Sequence, residues 1–420
     1  VSKKPRTATT AGHMLWANKR GEILDDPGLA AVGRSGTLTR DIAADEMSLL
    51  PAGAVLHYLP DRVPLGRNRH SGKLEERGGK AQAVAVMLPN GWARTLLPAY
   101  HKQPGATTLP FYGYTAAALV NDEIMVAAVQ TEDSIRWSPF QYSTPDLPQT
   151  VHKRLAQEPD NRLLAHHAKC ALEYQCYNAQ NIFYRRWEGA IALSPACNAR
   201  CIGCISEQPE DMPPSPQQRL TFVPSLDDIK AIAVPHLQTP DSIISFGQGC
   251  EGEPLLRADL IADSIKAIRQ ETDQGTIHIN TNASLPAGVQ RLVEAGLDSI
   301  RVSLNSATPE RYNAYYLPVR YGFDDVVKSV DICRDAGVQI TINLLFFPGL
   351  NDLESEVETL ERFIDEHGVH QVQMRNLNID PDLYLSRQPP LAGRAIGVPA
   401  LIKRLRQRAM IGNSTPPIKK

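Results

Sequence analysis

The sequence predicts an α/β protein in which a parallel, barrel-like sheet wrapped by helices follows a separate, largely β amino-terminal domain. Three observations predict it. From Gly189 onward short apolar stretches alternate with longer helical ones at about 30-residue intervals, the rhythm of βαβ units. Four of those apolar stretches carry a polar residue at every second position. Before Gly189 the pattern is instead one of short strands and turn signals, with one helical stretch at its end.

Composition bounds the function. With 44 Lys plus Arg against 46 Asp plus Glu, the formal charge of −2 excludes a surface built wholly to trap nucleic acid or anionic membrane. The chain is 42% hydrophobic and 21% charged, which excludes a disordered tail, and 420 residues predict two domains. No apolar run reaches the roughly 20 residues of a membrane span, and Val1 to Arg6 is basic without an apolar segment behind it, so the expected location is the cytoplasm.

In chain order, Ala83–Leu88 and Trp92–Leu97 flank Pro89-Asn90-Gly91 and predict a hairpin. Tyr114–Val120 and Ile124–Val129, around Asn121-Asp122, predict a second. Arg62–Lys80, with four glycines and several basic residues, reads as an exposed loop. Pro145 and Pro148 mark a linker, and a helix is expected from Val151 to about Tyr177. The expected domains are a β-rich region at 1–150, a linker helix region at 151–188, the barrel at 189–385 and a basic tail at 386–420.

Six strands are predicted: Ala190–Ser194, Ser242–Phe246, Thr276–Thr281, Ser299–Leu304, Gln339–Leu345 and Gln371–Arg375. Val326, Val330 and Cys333 share a helical face, which makes Cys333 a core thiol. His278, Asn280 and Asn282 alternate with isoleucines on the third strand, and Arg301, Ser303 and Asn305 with apolar residues on the fourth. Gln339, Thr341 and Asn343, then Gln371, Gln373 and Arg375, repeat the pattern. A strand covered by helices on both faces is apolar throughout, so this polar face is expected to line the inside of a curved sheet and hold a polar ligand. An antiparallel sheet with one wet face is the alternative.

Three of seven cysteines, Cys197, Cys201 and Cys204, fall within eight residues on the loop after the first strand. Closely spaced thiols in a reducing compartment read as metal ligands. The loop lies at the carboxyl end of the sheet, where α/β proteins bind ligands. Iron–sulfur clusters normally take four thiolates, so three would leave one iron open.

This CxxxCxxC loop with six βα units behind it resembles the radical S-adenosylmethionine (radical SAM) superfamily, over about Gly189 to Tyr384. The resemblance implies a partial (β/α)6 TIM-like barrel in which Cys197, Cys201 and Cys204 hold a [4Fe-4S] cluster and S-adenosylmethionine chelates the fourth iron. Reductive cleavage would give a 5′-deoxyadenosyl radical that abstracts hydrogen from a peptide or protein, RNA or metabolite substrate. It also implies an external one-electron donor of flavodoxin or ferredoxin type. Gly247-Gln-Gly249-Cys-Glu-Gly252-Glu253-Pro254 stands where the family has a Gly-Gly-Glu-like cofactor motif, which makes Gly249, Gly252 and Glu253 cofactor-binding candidates. Ser303, Asn305, Asn280, Asn282 and Arg375 are the further candidates from the polar face, and Phe346 or Phe347 is expected to contact adenine, since Gly203 replaces the family's aromatic.

The competing reading is a non-catalytic zinc or iron–sulfur scaffold, with Cys250 as the fourth thiolate on zinc. Cys170 and Cys176, if on one helix, point to different faces and would not chelate together, whereas His166 and Cys170 share a face as a buried polar pair. Only Cys333 follows Cys250, so the cysteine-rich extension of relatives with auxiliary clusters is not expected. The basic residues Lys403, Arg404, Arg406, Arg408, Lys419 and Lys420 read as a solvated face, with RNA as the sharper alternative.

Overall fold

In the computed structural model, residues 12–133 and 135–418 are described; Val1–Arg6 and Lys419-Lys420 lie outside them. The chain forms two compact units. One comprises the chain up to Asp133 with residues 345–359 and 374–407; the other comprises 134–344, 360–373 and 408–420.

The first unit holds a 13-stranded antiparallel sheet and a two-stranded one. Asn121 and Asp122, both at positive φ (50° and 64°), make the tight turn between Ala117–Val120 and Glu123–Val126, as predicted. The other predicted hairpin does not form. Gln82–Met87 is an interior strand paired with Val55–Leu59, His13–Ala17 and Tyr114–Thr115, whereas Trp92–Arg94 pairs with Ala128–Gln130. The Ala83-Val84-Ala85-Val86 run is buried on both faces, and pairing it centrally removes more apolar surface from water than a local hairpin would. Nor is 62–80 a loop, because Arg62–Asn68 and Leu74–Glu76 are paired strands. Arg62 is fully buried, with Asp380 at 3.2 Å and the carbonyls of Pro60 and Thr107 at 2.8 and 2.6 Å. A guanidinium paired with a carboxylate and two carbonyls can be buried, a possibility that polarity alone does not reveal.

The second unit begins with three helices, α1 (Leu147–Gln157), α2 (Arg162–Leu172) and α3 (Tyr177–Tyr184), in place of the single predicted helix. The Asn161 side chain caps α2, accepting from the Leu164 amide at 2.9 Å, and Cys176 occupies the cap position of α3. Seven strands then form one sheet in sequence order: Glu188–Ile191, Ile243–Phe246, Thr276–Thr281, Ser299–Leu304, Gln339–Phe346, Gln371–Asn376 and Met410–Gly412. The first five pair in parallel, as do the sixth and seventh. The seventh comes from residues expected to be a tail. Helices α4 (Leu226–Leu237), α5 (Ala258–Arg269), α6 (Pro286–Ala295), α7 (Pro309–Tyr316) and α8 (Phe323–Asp335) fill the first four connections. Val326, Val330 and Cys333 of α8 are fully buried, so Cys333 is a core thiol. No helix among the described residues is long and apolar enough to cross a membrane.

The polar face of the sheet does turn inward, but much of it bonds to itself. Arg301 meets Glu188 at 3.2 Å, Thr415 at 3.0 Å and Gln373 at 3.1 Å, and Thr341 donates to Gln371. His278 bridges Ser299 and Asn280. Toward the carboxyl ends, Ser303 and Asn343 face each other in register.

Candidate functional site

The cysteine loop leaves the first strand at Ile191 and is held from both sides. Glu251 accepts from the amides of Leu193 and Ser194 at 2.8 and 2.7 Å, fixing the exit of the strand. The amides of Gly252 and Glu253 donate to the carbonyls of Ser194 and Ala196 at 2.7 and 2.8 Å. On the far side, Arg200 and Ile202 donate to the carbonyls of Tyr316 and Tyr315, and Val319 donates to that of Asn198. Gly252 is obligatory here, since a Cβ would lie 2.0 Å from the Ala196 oxygen. Gly247, at φ 85°, approaches the Asn280 carbonyl as closely.

Cys197, Cys201 and Cys204 are all half-buried and unbridged. Burial pushes the Cys197 thiol up to about 11. Burial raises Cys201 further, with Cys204 and Cys197 adding to it, the mark of thiols that share one pocket. A metal must therefore displace protons on binding. Among the described residues, the only three donors from His, Cys, Asp or Glu that all lie within 4.8 Å of one another are elsewhere. At least one pair among the Cys197, Cys201 and Cys204 sulfurs is thus more than 4.8 Å apart. Arg219, which the cysteine spacing gave no means of finding, donates to the Cys204 sulfur at 3.6 Å and to Ser206 at 3.2 Å.

The other candidates fall into three groups. Gly249, Gly252 and Glu253 share the loop against the cysteines; Glu253 is buried, its carboxylate taking the amides of Leu255 and Asn282 at 2.9 Å and the hydroxyl of Thr281. Burial lifts that carboxyl to about 7 against those donors. Asn282 donates to Asn198 at 2.9 Å, and Asn280 donates to Ser245 and the Gly247 carbonyl, so both brace the loops. Asn305 is buried and donates to the Arg311 carbonyl. Ser303 and Asn343 form the open part of the polar face: the buried Asn343 carbonyl oxygen has no partner among the described residues. Asn343 was legible from alternation but was not singled out. Arg375 belongs to the other unit, where it donates to Asn90 at 2.9 Å. Phe346 and Phe347 are fully buried in that unit, where Phe347 packs on Tyr384, and so offer no face to adenine. Cys250 does not join the cysteine loop as a fourth ligand but sits 3.3 Å from His166.

A thiol-bearing loop thus follows the first strand of a parallel βα sheet. Residues 191–364 match the model of the Radical SAM superfamily. Similar curated proteins include the GTP 3′,8-cyclase of Sulfurovum sp. (strain NBC37-1), 31% identical over 166 residues, covering 39% of this chain and 47% of that one. The mitochondrial GTP 3′,8-cyclase of Arabidopsis thaliana is 30% identical over 171 residues, covering 39% of this chain and 40% of that one. Both matches span less than half of the relative's length. Among solved structures, the FeFe-hydrogenase maturase of Carboxydothermus hydrogenoformans is 15% identical, covering 63% of this chain and 68% of that chain at a TM-score of 0.37.

Proposed function

We propose that Cys197, Cys201 and Cys204 hold a [4Fe-4S] cluster through three of its irons, and that S-adenosylmethionine binds the fourth, for hydrogen abstraction from a substrate. The observation that carries this reading is the braced loop itself, which presents three half-buried thiols within eight residues at the end of the first strand. The surrounding residues fit both groups: three thiol donors and no fourth among them, close-approach glycines beside them, and an unpartnered Asn343 oxygen on the polar face. When bound, the pair supplies a 5′-deoxyadenosyl radical after one electron enters from an external donor. The chain's own part is positional. Glu251 and Gly252 fix the strand exit, Asn282 ties Asn198 to the third strand, and Arg219 places a positive charge on the Cys204 sulfur.

Anaerobically reconstituted protein should carry about four irons and four sulfides and absorb near roughly 400 nm. With dithionite and S-adenosylmethionine it should release 5′-deoxyadenosine. Cys201→Ala should abolish both colour and cleavage; zinc bound at these cysteines in place of iron would contradict the assignment.

A further inference from the structure

The end of α2 and the loop after the second strand bring together a second set of soft donors. The His166 Nε2 atom lies 3.3 Å from the Cys250 sulfur and 3.6 Å from the Cys170 sulfur, and the three donor atoms all fall within 4.8 Å of one another. Cys170 and Cys250 are buried and His166 is half-buried. The two cysteines border a cavity of about 120 Å³ whose wall also carries Cys176 and His167. His167 is fully buried, and neither of its ring nitrogens has a partner among the described residues. Because α2 ends at Leu172, Cys176 is not on the same helix as Cys170, and the helical argument that kept them apart does not apply.

We propose that His166, Cys170 and Cys250 form a mononuclear site for a thiophilic divalent cation, zinc by the chemistry of its donors. A Zn–N bond of about 2.05 Å and a Zn–S bond of about 2.3 Å at the tetrahedral angle place nitrogen and sulfur roughly 3.6 Å apart, which matches both contacts. The same closeness excludes a cubane, whose ligands must be spread around a larger core. The fourth position opens on the cavity, toward Cys176 and His167. An ion here would staple α2 to the Gly249–Glu253 segment, and through Glu251 to the exit of the cysteine loop. The site shares no ligand with the proposed cluster, so the two are separable.

The test uses the full chain with Cys197, Cys201 and Cys204 all replaced by Ala, kept reduced and anaerobic, so that failure of the cluster assignment leaves it unaffected. Titrated with cobalt(II), this protein should take up about one equivalent with thiolate-to-cobalt charge-transfer and tetrahedral ligand-field bands, and zinc should displace it. Adding His166→Ala or Cys250→Ser should remove those bands, while the far-UV circular dichroism reports that the chain is folded. Cys176→Ser changes the ligand-field pattern if its sulfur fills the fourth position and leaves it intact if water does; retention of the thiolate bands in either case upholds the three-ligand core. A folded triple variant that gives no thiolate–cobalt band, or equal binding after Cys250→Ser, would overturn the proposal.

Discussion

Gly252 shows how much one residue can carry. Its missing side chain lets the loop after the second strand pass against the Ala196 carbonyl while its own amide bonds to Ser194. Gly252→Ala must push the two loops apart, which is expected to cost about 1–3 kcal/mol as overpacking, and to lower iron retention on reconstitution well below that of the wild type. Full iron loading with an unchanged melting temperature would show that the contact is dispensable. The grouping of Cys197, Cys201 and Cys204 was legible from spacing alone, because all three lie in one short loop. Arg219 was not, since it reaches Cys204 from 15 residues away through a segment without periodicity. Glu251 was also missed as a brace: the sequence marks it only as an interruption between glycines, yet it holds the exit of the first strand.

At the scale of elements, the barrel interior is a polar network whose members come from strands distant in sequence. Glu188 opens the first strand, Arg301 lies in the fourth and Gln373 in the sixth, while Thr415 follows the seventh. Burial alone would raise the Glu188 carboxyl, but Arg301, His278, Thr415 and Ser245 outweigh it and hold it at about 2. Arg301→Met leaves that charge buried without its cation and should destabilise the protein by about 3–5 kcal/mol in urea unfolding. A loss under about 1 kcal/mol would mean that water replaces the guanidinium. His278 and His236 are pulled down to about 4, mainly by burial. Each binds its proton less readily in the folded chain than in the unfolded one, so the contribution of these two histidines is full above about pH 6.5 and is lost as the pH drops toward 4. Glu188 extends the loss from about 4.5 toward 2. The raised Glu253 carboxyl acts in the opposite sense between about pH 7 and 4.5, so the test is a difference: from pH 7 to pH 5 the urea midpoint of the wild type should fall relative to that of His278→Gln, and parallel profiles would contradict the burial of a neutral His278 imidazole. Period-two alternation announced this face. It could not say that Arg301 and Glu188 would satisfy each other, because pairing across a sheet depends on register that no single strand encodes.

At the scale of the whole molecule, chain order and spatial unit diverge. Residues 345–359 and 374–407 join the amino-terminal β unit, where Asn376 bonds the Arg94 amide and the Trp92 carbonyl, and Asp380 pairs with Arg62. The parallel sheet was visible in sequence because each strand and helix repeats a local period. The membership of the other unit was not, since it rests on contacts more than 280 residues apart, such as Arg94 with Asn376 at 282 and Arg62 with Asp380 at 318. The account as a whole rests on an iron left open by three thiolates. Its most direct test is electron paramagnetic resonance of the dithionite-reduced, reconstituted protein with and without S-adenosylmethionine. The account predicts a reduced [4Fe-4S] signal that changes on adding S-adenosylmethionine and is missing from Cys201→Ala. A cluster signal that S-adenosylmethionine leaves unaltered, or one that survives Cys201→Ala, would contradict it.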